Sequence, residues 1–142
     1  MKLTRVITTS KPLDTVFAYL SDFTTTTEWD PGTVKTVRTS GDGGFGTEYL
    51  NTSTFAGRET QLTYVVLDLV PNQRIALRGE NKTVIAHDTM TFRAMGSDTE
   101  VTYTADFTFK GIARLVAPFM TSAFTRLGDE AEVGMSAALA RL

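Results

Sequence analysis

The chain has 142 residues, 42% of them hydrophobic and 21% charged, with a formal net charge of −2 and no cysteine. This length and composition predict one globular domain over residues 1–142, and the missing cysteines exclude disulfides, thiol nucleophiles and cysteine-ligated zinc. Because no Lys/Arg cluster and no apolar run near the ~18 residues of a membrane span occurs, we expect no nucleic-acid partner, no stable membrane insertion and a cytoplasmic location.

The N-terminal part predicts a strand followed by a short helix. Residues 3–9 are rich in β-branched side chains, which is typical of a strand. In the segment KPLDTVFAYL, the side chains of Val16, Phe17 and Leu20 share one helical face. The stretch EWDPG follows, in which the only tryptophan, Trp29, lies between two acids and a Pro-Gly turn signal.

Residues 34–109 predict an antiparallel meander. Turn signals at SGDGG, FAG, VPNQ, GENK and AMGSD divide β-rich stretches at intervals of roughly ten residues. After the meander, apolar and small residues recur at helical spacing, namely Ile112, Leu115, Val116, Phe119, Ala123, Leu127, Ala131, Gly134, Ala138 and Leu142. They predict a long amphipathic final helix, in which Pro118 either causes a kink or lies in the first turn.

The hairpin turns allow each strand's inner face to be assigned, because opposed residues of an antiparallel pair share a face. In the last strand, alternating apolar residues between Val101 and Phe109 must be the buried ones. Tracing this face back through the turns gives Phe92, Met90, Asp88, Ala86, Val84, Leu77, Ile75, Val66, Tyr64, Leu62, Ser53, Asn51 and Tyr49. An apolar wall with scattered polar groups is typical of a small-molecule cavity, and a solid core with tyrosine hydroxyls at its rim is the alternative.

Few side chains offer catalytic chemistry. The only histidine, His87, is predicted to face outward opposite Asp106, so neither a His-based triad nor a His-rich metal site is available. The glycine-rich stretch GDGGFG lacks the helix and lysine of a phosphate loop, and we expect no metal and no cofactor. We interpret Glu28 and Asp30 as solvated acids.

Asp88 is the strongest candidate for acid/base chemistry, since the same register turns it inward. A carboxyl in an apolar wall can serve as a general acid or base, and Tyr103 is a second candidate on the same face. The alternative is a carboxylate at the sheet's end, either solvated or paired with Arg74 or Arg93.

The element order and several segments resemble the helix-grip fold of the START-like (SRPBCC) superfamily, in its polyketide cyclase/dehydrase-like branch. The similar segments are TVFAYLSDFTTTTEWDPGTV, LTYVVLDLVPNQRIALRGE, DTEVTYTADFTFKG and GIARLVAPFM. The resemblance implies an α+β fold: a seven-stranded antiparallel sheet curved around a long C-terminal helix, with two short helices between strands 1 and 2. It also implies a hydrophobic tunnel between sheet and helix, and its members include lipid and hormone carriers and aromatase/cyclases.

By position in that family, Trp29 is expected near the cavity entrance, with its indole N–H toward the wet rim. The full set of expected ligand-binding residues is Trp29, Tyr49, Asn51, Tyr64, Val66, Leu77, Asp88, Met90, Tyr103, Phe107, Phe119, Met120 and Ala123. A cyclase's catalytic arginine has no clear counterpart, because parity puts Arg74 and Arg78 on the outer face and leaves Arg58.

Three functions follow from these patterns. The leading hypothesis is binding of a small lipophilic or aromatic molecule between the sheet and the C-terminal helix. The first alternative is a cyclase- or dehydratase-type enzyme acting on a polyketide-like or other hydrophobic substrate. The second alternative is a dimeric interaction module that uses outer-face residues, namely Leu50, Val65, Leu67 and Ile85.

Overall fold

A single seven-stranded antiparallel sheet forms most of the structure, a computed structural model that describes residues 1–142. Its strands lie in the order β1-β7-β6-β5-β4-β3-β2, so β2 to β7 form the expected meander and β1 pairs with β7. The strands are β1 Lys2–Thr9, β2 Thr33–Ser40, β3 Glu48–Phe55, β4 Arg58–Val70, β5 Arg74–Glu80, β6 Val84–Met95 and β7 Asp98–Phe109.

Short helices connect β1 to β2, and a longer helical region follows β7. The first group comprises α1 Leu13–Ser21, a 3₁₀ turn at Phe23–Thr25 and α2 Thr26–Trp29. The second comprises α3 Ala113–Val116, a 3₁₀ turn at Ala117–Met120 and α4 Thr121–Ala140. The expected interruption near Pro118 is therefore present, as a 3₁₀ turn before a 20-residue helix. None of the helices has the length and apolarity needed to cross a membrane.

The inner-face assignment is confirmed by the register. Met90 opposes Tyr103 and Asp88 opposes Ala105 across β6 and β7, and Leu77 opposes Asp88 across β5 and β6. Exposed His87 lies opposite Asp106, as the hairpin parity predicts. The parity holds because the connections are tight: Ala56 and Gly57 both have positive φ (51° and 80°), which suits a two-residue hairpin turn.

The predicted apolar stripe of the final helix is confirmed only in its C-terminal part, where Ala131 and Ala138 are buried. Its first members face solvent, and Phe119 is 87% exposed. The buried side of α4 also contains residues outside that stripe, namely Phe124, Gly128, Met135 and Leu139. The 3₁₀ turn makes about three residues per turn rather than 3.6, so α4 does not continue the angular phase that begins at Ile112.

The helix α1 fills one half of the concave sheet. Its residues Val16, Phe17 and Leu20 are buried in a single core cluster, and the Phe17 and Phe92 rings pack edge to face with their centroids 5.0 Å apart. The ring of Phe23 follows, 4.8 Å from Tyr64. Helix α4 packs against β1 and α2. Helix α1 therefore leaves the other half of the concave face uncovered, and α4 lies over that half.

The outer face of the sheet carries the residues on which the dimer hypothesis rests. Leu67 is exposed, and Leu50, Val65 and Ile85 are half-buried. A homodimer through this face stays a prediction.

Candidate functional site

A cavity of about 550 Å³ lies between the inner face of the sheet and α4. Of its 33 lining residues 19 are hydrophobic, and its volume is within the usual range for small-molecule sites. One end is lined by exposed residues of the β3–β4 turn, the β5–β6 turn and α3, so this end is the mouth. The other end is closed by the buried side chains of Trp29, Tyr64 and Asp88. The concave face therefore holds a cavity and not a solid core.

Seven of the thirteen expected ligand-binding residues line this cavity: Trp29, Asn51, Tyr64, Asp88, Tyr103, Phe107 and Met120. Six do not: Tyr49, Val66, Leu77, Met90, Phe119 and Ala123. The first four of these six are buried on the inner face in the core cluster to which α1 and Phe23 belong. Phe119 points into solvent, and Ala123 lines a smaller neighbouring pocket, as expected if the helix is out of phase.

Phe124 is a cavity residue that the sequence reasoning missed. It is 3% exposed, and its ring centroid lies 4.6 Å from that of Phe55, 5.1 Å from Phe107 and 5.4 Å from Phe109. Its position seven residues before Ala131 places both side chains on one helical face and is the signal in the sequence, but spacing counted from Ile112 does not include it. The four rings form an aromatic cluster where α4 meets the sheet.

Asp88 is buried among apolar side chains, at 5% exposure. Burial raises its pKa from 3.8 to about 7; a hydrogen bond from Tyr103 lowers the pKa, and the nearby Asp30 carboxylate raises it further. The Tyr103 hydroxyl donates to Asp88 Oδ2 at 3.1 Å. The interpretation of Asp88 as solvated or arginine-paired is wrong, because Arg74 pairs with Asp68 and Arg93 with Glu100.

The tyrosines of the closed end stay protonated at neutral pH. Burial raises the pKa of both Tyr64 and Tyr103 well above 10, and the charges of Asp88 and Asp30 raise it further. Tyr103 is therefore a fixed hydrogen-bond donor to Asp88. The Tyr64 ring packs over Gly79, where an added Cβ would lie 2.6 Å from the ring, so its orientation is set by the opposite strand.

The threonine run before Trp29 fixes α2 to the sheet. The hydroxyls of Thr26 and Thr36 are 2.6 Å apart, and Asn51 Nδ2 donates to Thr36 Oγ1 at 2.8 Å. Helix α4 approaches the same segment closely, because Gly134 lacks the Cβ that would lie 2.0 Å from the Trp29 carbonyl oxygen. Trp29 is consequently held on both sides.

The expectation that the Trp29 indole N–H points to the wet rim is wrong. Trp29 is 1% exposed, its Nε1 has no hydrogen-bond partner, and its ring meets the Tyr103 ring edge-on at 5.7 Å. Packing from α4 and the sheet encloses the indole completely, so the residue closes the inner end of the cavity and does not border its entrance.

The two acids beside Trp29, Glu28 and Asp30, differ in their burial. Glu28 is exposed and accepts a hydrogen bond from the Tyr19 hydroxyl at 2.9 Å. Asp30 is half-buried and lines the cavity, and burial raises its pKa although Thr33 and Gly32 donate hydrogen bonds to it. The interpretation of Asp30 as a solvated acid is therefore wrong.

Two arginines line the cavity, and neither forms a salt bridge with Asp88. Arg5 donates to Asp129 Oδ1 at 2.9 Å and to the Thr125 carbonyl at 3.3 Å, so α4 holds its guanidinium. Arg58 is exposed at the mouth and forms no salt bridge. Arg78 pairs with Glu80 at 2.8 Å on the outer side of the sheet, as the parity predicts for it.

The family model described as "Polyketide cyclase / dehydrase and lipid transport" matches residues 1–142, and the chain belongs to this family. No functionally curated protein is similar enough in sequence to match.

Solved structures share the fold over nearly the whole chain. The Zhui aromatase/cyclase from Streptomyces sp. R1128 has a TM-score of 0.83 and 16% identity, covering 98% of this chain and 93% of that one. The protein TTHA0849 from Thermus thermophilus has a TM-score of 0.82 and 10% identity, covering 98% and 97%. A START superfamily protein from Mycobacterium smegmatis has a TM-score of 0.66 and 12% identity, covering 92% and 97%. At these identities, the likeness establishes the helix-grip fold.

Proposed function

We propose that this family member binds a small lipophilic or aromatic molecule in the cavity between the sheet and α4. The observation that carries the proposal is the 550 Å³ cavity with a mostly hydrophobic lining and an open mouth. Burial of apolar ligand surface, at about 25 cal/mol per Å², supplies most of the affinity. The description of the family, which includes lipid transport, and the aromatase/cyclase with the same fold support it.

A matched pair of substitutions on one strand tests this proposal. Thr60 lines the cavity, whereas Thr63 of the same strand is exposed on the other face. Titration with N-phenyl-1-naphthylamine, followed by its fluorescence, is expected to show saturable binding to the unsubstituted protein. Thr60→Phe fills part of the cavity and is expected to weaken binding about tenfold or more, which is at least about 1.4 kcal/mol. Thr63→Phe is the control and should bind normally; equal weakening by both, or no saturable binding, refutes the proposal.

A second candidate function, an acid/base enzyme of cyclase or dehydratase type, is favoured by the Asp88–Tyr103 pair. A carboxyl with a pKa of about 7 can both donate and accept a proton at neutral pH, and it is hydrogen-bonded to a protonated phenol on the cavity wall. The substrate would be a polyketide-like or other hydrophobic molecule, preorganised by the cavity.

Single substitutions separate this enzyme from a carrier. Asp88→Asn and Tyr103→Phe are each expected to abolish turnover of such a substrate while leaving binding of N-phenyl-1-naphthylamine intact. Turnover that survives both changes contradicts acid/base catalysis at this pair and leaves the binding proposal standing.

A further inference from the structure

Two buried polar atoms at the closed end of the cavity lack hydrogen-bond partners. They are Trp29 Nε1 and Asp88 Oδ1, on side chains that are 1% and 5% exposed and that both line the cavity. A buried polar atom without a partner is uncommon, because burial removes its hydrogen bonds to water and the protein supplies no hydrogen bond in their place. One of these atoms is a donor, and the other belongs to a carboxyl group.

Tyr103 connects the two groups. Its ring lies 5.7 Å from the Trp29 ring, and its hydroxyl donates to Asp88 Oδ2 at 3.1 Å. The Tyr103 hydroxyl has only one proton, and it donates this proton to Asp88 Oδ2. Tyr103 therefore cannot also donate a hydrogen bond to Asp88 Oδ1. The two side chains that carry the unpartnered atoms therefore both contact Tyr103.

Apart from Tyr64, whose hydroxyl forms no hydrogen bond, the other polar side chains at this end are already paired. Asn51 donates to Thr36 at 2.8 Å and accepts from Ser53 at 2.6 Å. Asp30 accepts from the Gly32 backbone and from Thr33. Of the two cavity arginines, Arg5 is held by Asp129 and a backbone carbonyl on α4, and Arg58 is exposed at the mouth. The protein itself thus supplies no partner for either atom.

We propose that the closed end of the cavity binds a hydroxyl group, phenolic or alcoholic, carried on an otherwise apolar ligand. The hydroxyl oxygen accepts from Trp29 Nε1–H, and its proton is donated to Asp88 Oδ1. This inference rests on the proposed function, because it names the class of ligand that the same cavity takes.

The charges around the site distinguish a hydroxyl from ionic groups. A ligand carboxylate or phosphate would face the carboxyl groups of Asp88 and Asp30, neither of which has a salt-bridge partner. An ammonium group has donors only, so it would leave the Trp29 N–H without an acceptor. A hydroxyl group both donates and accepts, and it satisfies both atoms without introducing a charge.

Three ligands of one skeleton test the inference on the unsubstituted protein: naphthalene, 2-methoxynaphthalene and 2-naphthol. The methoxy compound accepts a hydrogen bond but cannot donate one. We expect 2-naphthol to bind about tenfold more tightly than 2-methoxynaphthalene, as one lost hydrogen bond to a buried group implies. Equal binding of all three overturns the inference and leaves the proposed function intact, whereas no binding of any of them overturns both.

Two variants locate the hydroxyl within the cavity. Trp29→Phe keeps an aromatic ring but removes the N–H, and it is expected to reduce the preference for 2-naphthol over naphthalene. Thr60→Val is the matched control: it removes a hydroxyl from the same cavity, on the side of the β3–β4 turn, and should keep that preference. Loss of the preference in Thr60→Val alone overturns the assignment to Trp29 and Asp88.

A direct readout does not depend on the folding of any variant. Trp29 is the only tryptophan, so the protein has a single indole N–H resonance in an ¹⁵N-correlated NMR spectrum. Binding of 2-naphthol should move this proton downfield relative to its position with naphthalene bound, because only 2-naphthol accepts its hydrogen bond. Identical positions with the two ligands overturn the proposal.

Discussion

Replacing Asp88 by asparagine tests how strongly burial raises the pKa of this carboxyl. Asparagine has nearly the same shape and does not titrate. In the folded protein the pKa of Asp88 is raised to about 7, whereas in the unfolded chain it is about 3.9. A raised pKa means that the folded state binds the proton more tightly. The resulting stability is fully present below about pH 4 and is lost as the pH rises through about 7.

The magnitude follows from the difference between these two pKa values. About three pH units, at 1.36 kcal/mol per unit, correspond to about 4 kcal/mol. This is a large part of the 5–15 kcal/mol by which domains are typically stable. Because Asp88→Asn lacks this titration, its unfolding free energy relative to the unsubstituted protein should rise by about 4 kcal/mol between pH 4 and pH 8.

Urea unfolding followed by the fluorescence of Trp29 measures this difference at a series of pH values. The control is Asp98→Asn, at an exposed acid that forms no salt bridge. The control should retain the pH dependence of the unsubstituted protein. If the profiles of Asp88→Asn and the unsubstituted protein run parallel from pH 4 to pH 8, the reasoning from burial is refuted.

Three further predictions address packing, the hydrogen bond and assembly. Gly134→Ala places a Cβ 2.0 Å from the Trp29 carbonyl oxygen and should destabilise by about 1–3 kcal/mol in urea unfolding. Gly128→Ala on the same helix places a Cβ 2.9 Å from Arg5 Nη2, a side-chain atom that can shift although Asp129 and the Thr125 carbonyl hold it, so this change should destabilise less. Equal effects contradict the close helix approach. Tyr103→Phe removes the hydrogen bond to Asp88 and should destabilise by about 1–3 kcal/mol at pH 8, where the carboxyl is ionised, and by less at pH 5; a loss that does not vary with pH contradicts this. If a homodimer forms through the outer face, light scattering should give twice the 15.5 kDa chain mass, and Leu67→Lys should return the mass to that of the monomer. A strict monomer at high concentration excludes this homodimer.

The register of the sheet could be predicted because it depends on local turns. Positive φ at Ala56 and Gly57, and at Gly96 between β6 and β7, closes hairpins that carry the face assignment from strand to strand. The register shift between Val66 and Asp68 in β4 does not change the face assignment, because Leu77 still opposes Val66. The inward position of Asp88 follows from this parity alone.

The position of the cavity along the sheet could not be predicted in this way. It depends on where α1 packs, and Phe17 meets Phe92 across 75 residues of sequence, so no local pattern contains the contact. For this reason the inner-face parity alone predicts Met90 and Leu77 as cavity residues, although they belong to the core. The phase of α4 depends on the 3₁₀ turn at Pro118, so helical spacing counted from Ile112 predicts Phe119 as a cavity residue and leaves out Phe124.

The proposed hydroxyl site and the raised pKa of Asp88 together predict a change of protonation on binding. At pH 7 about half of the Asp88 carboxyls are protonated, and the groups facing this carboxyl are Tyr103, Tyr64 and Asp30. A ligand hydroxyl that donates to Oδ1 stabilises the ionised form, so 2-naphthol should release up to about half a proton. Naphthalene offers no donor, and Asp88 Oδ1 is already without a hydrogen-bond partner, so naphthalene should release no proton. Calorimetric titration in buffers of different ionisation enthalpy measures both, and equal proton release by the two ligands would contradict a hydroxyl at Asp88.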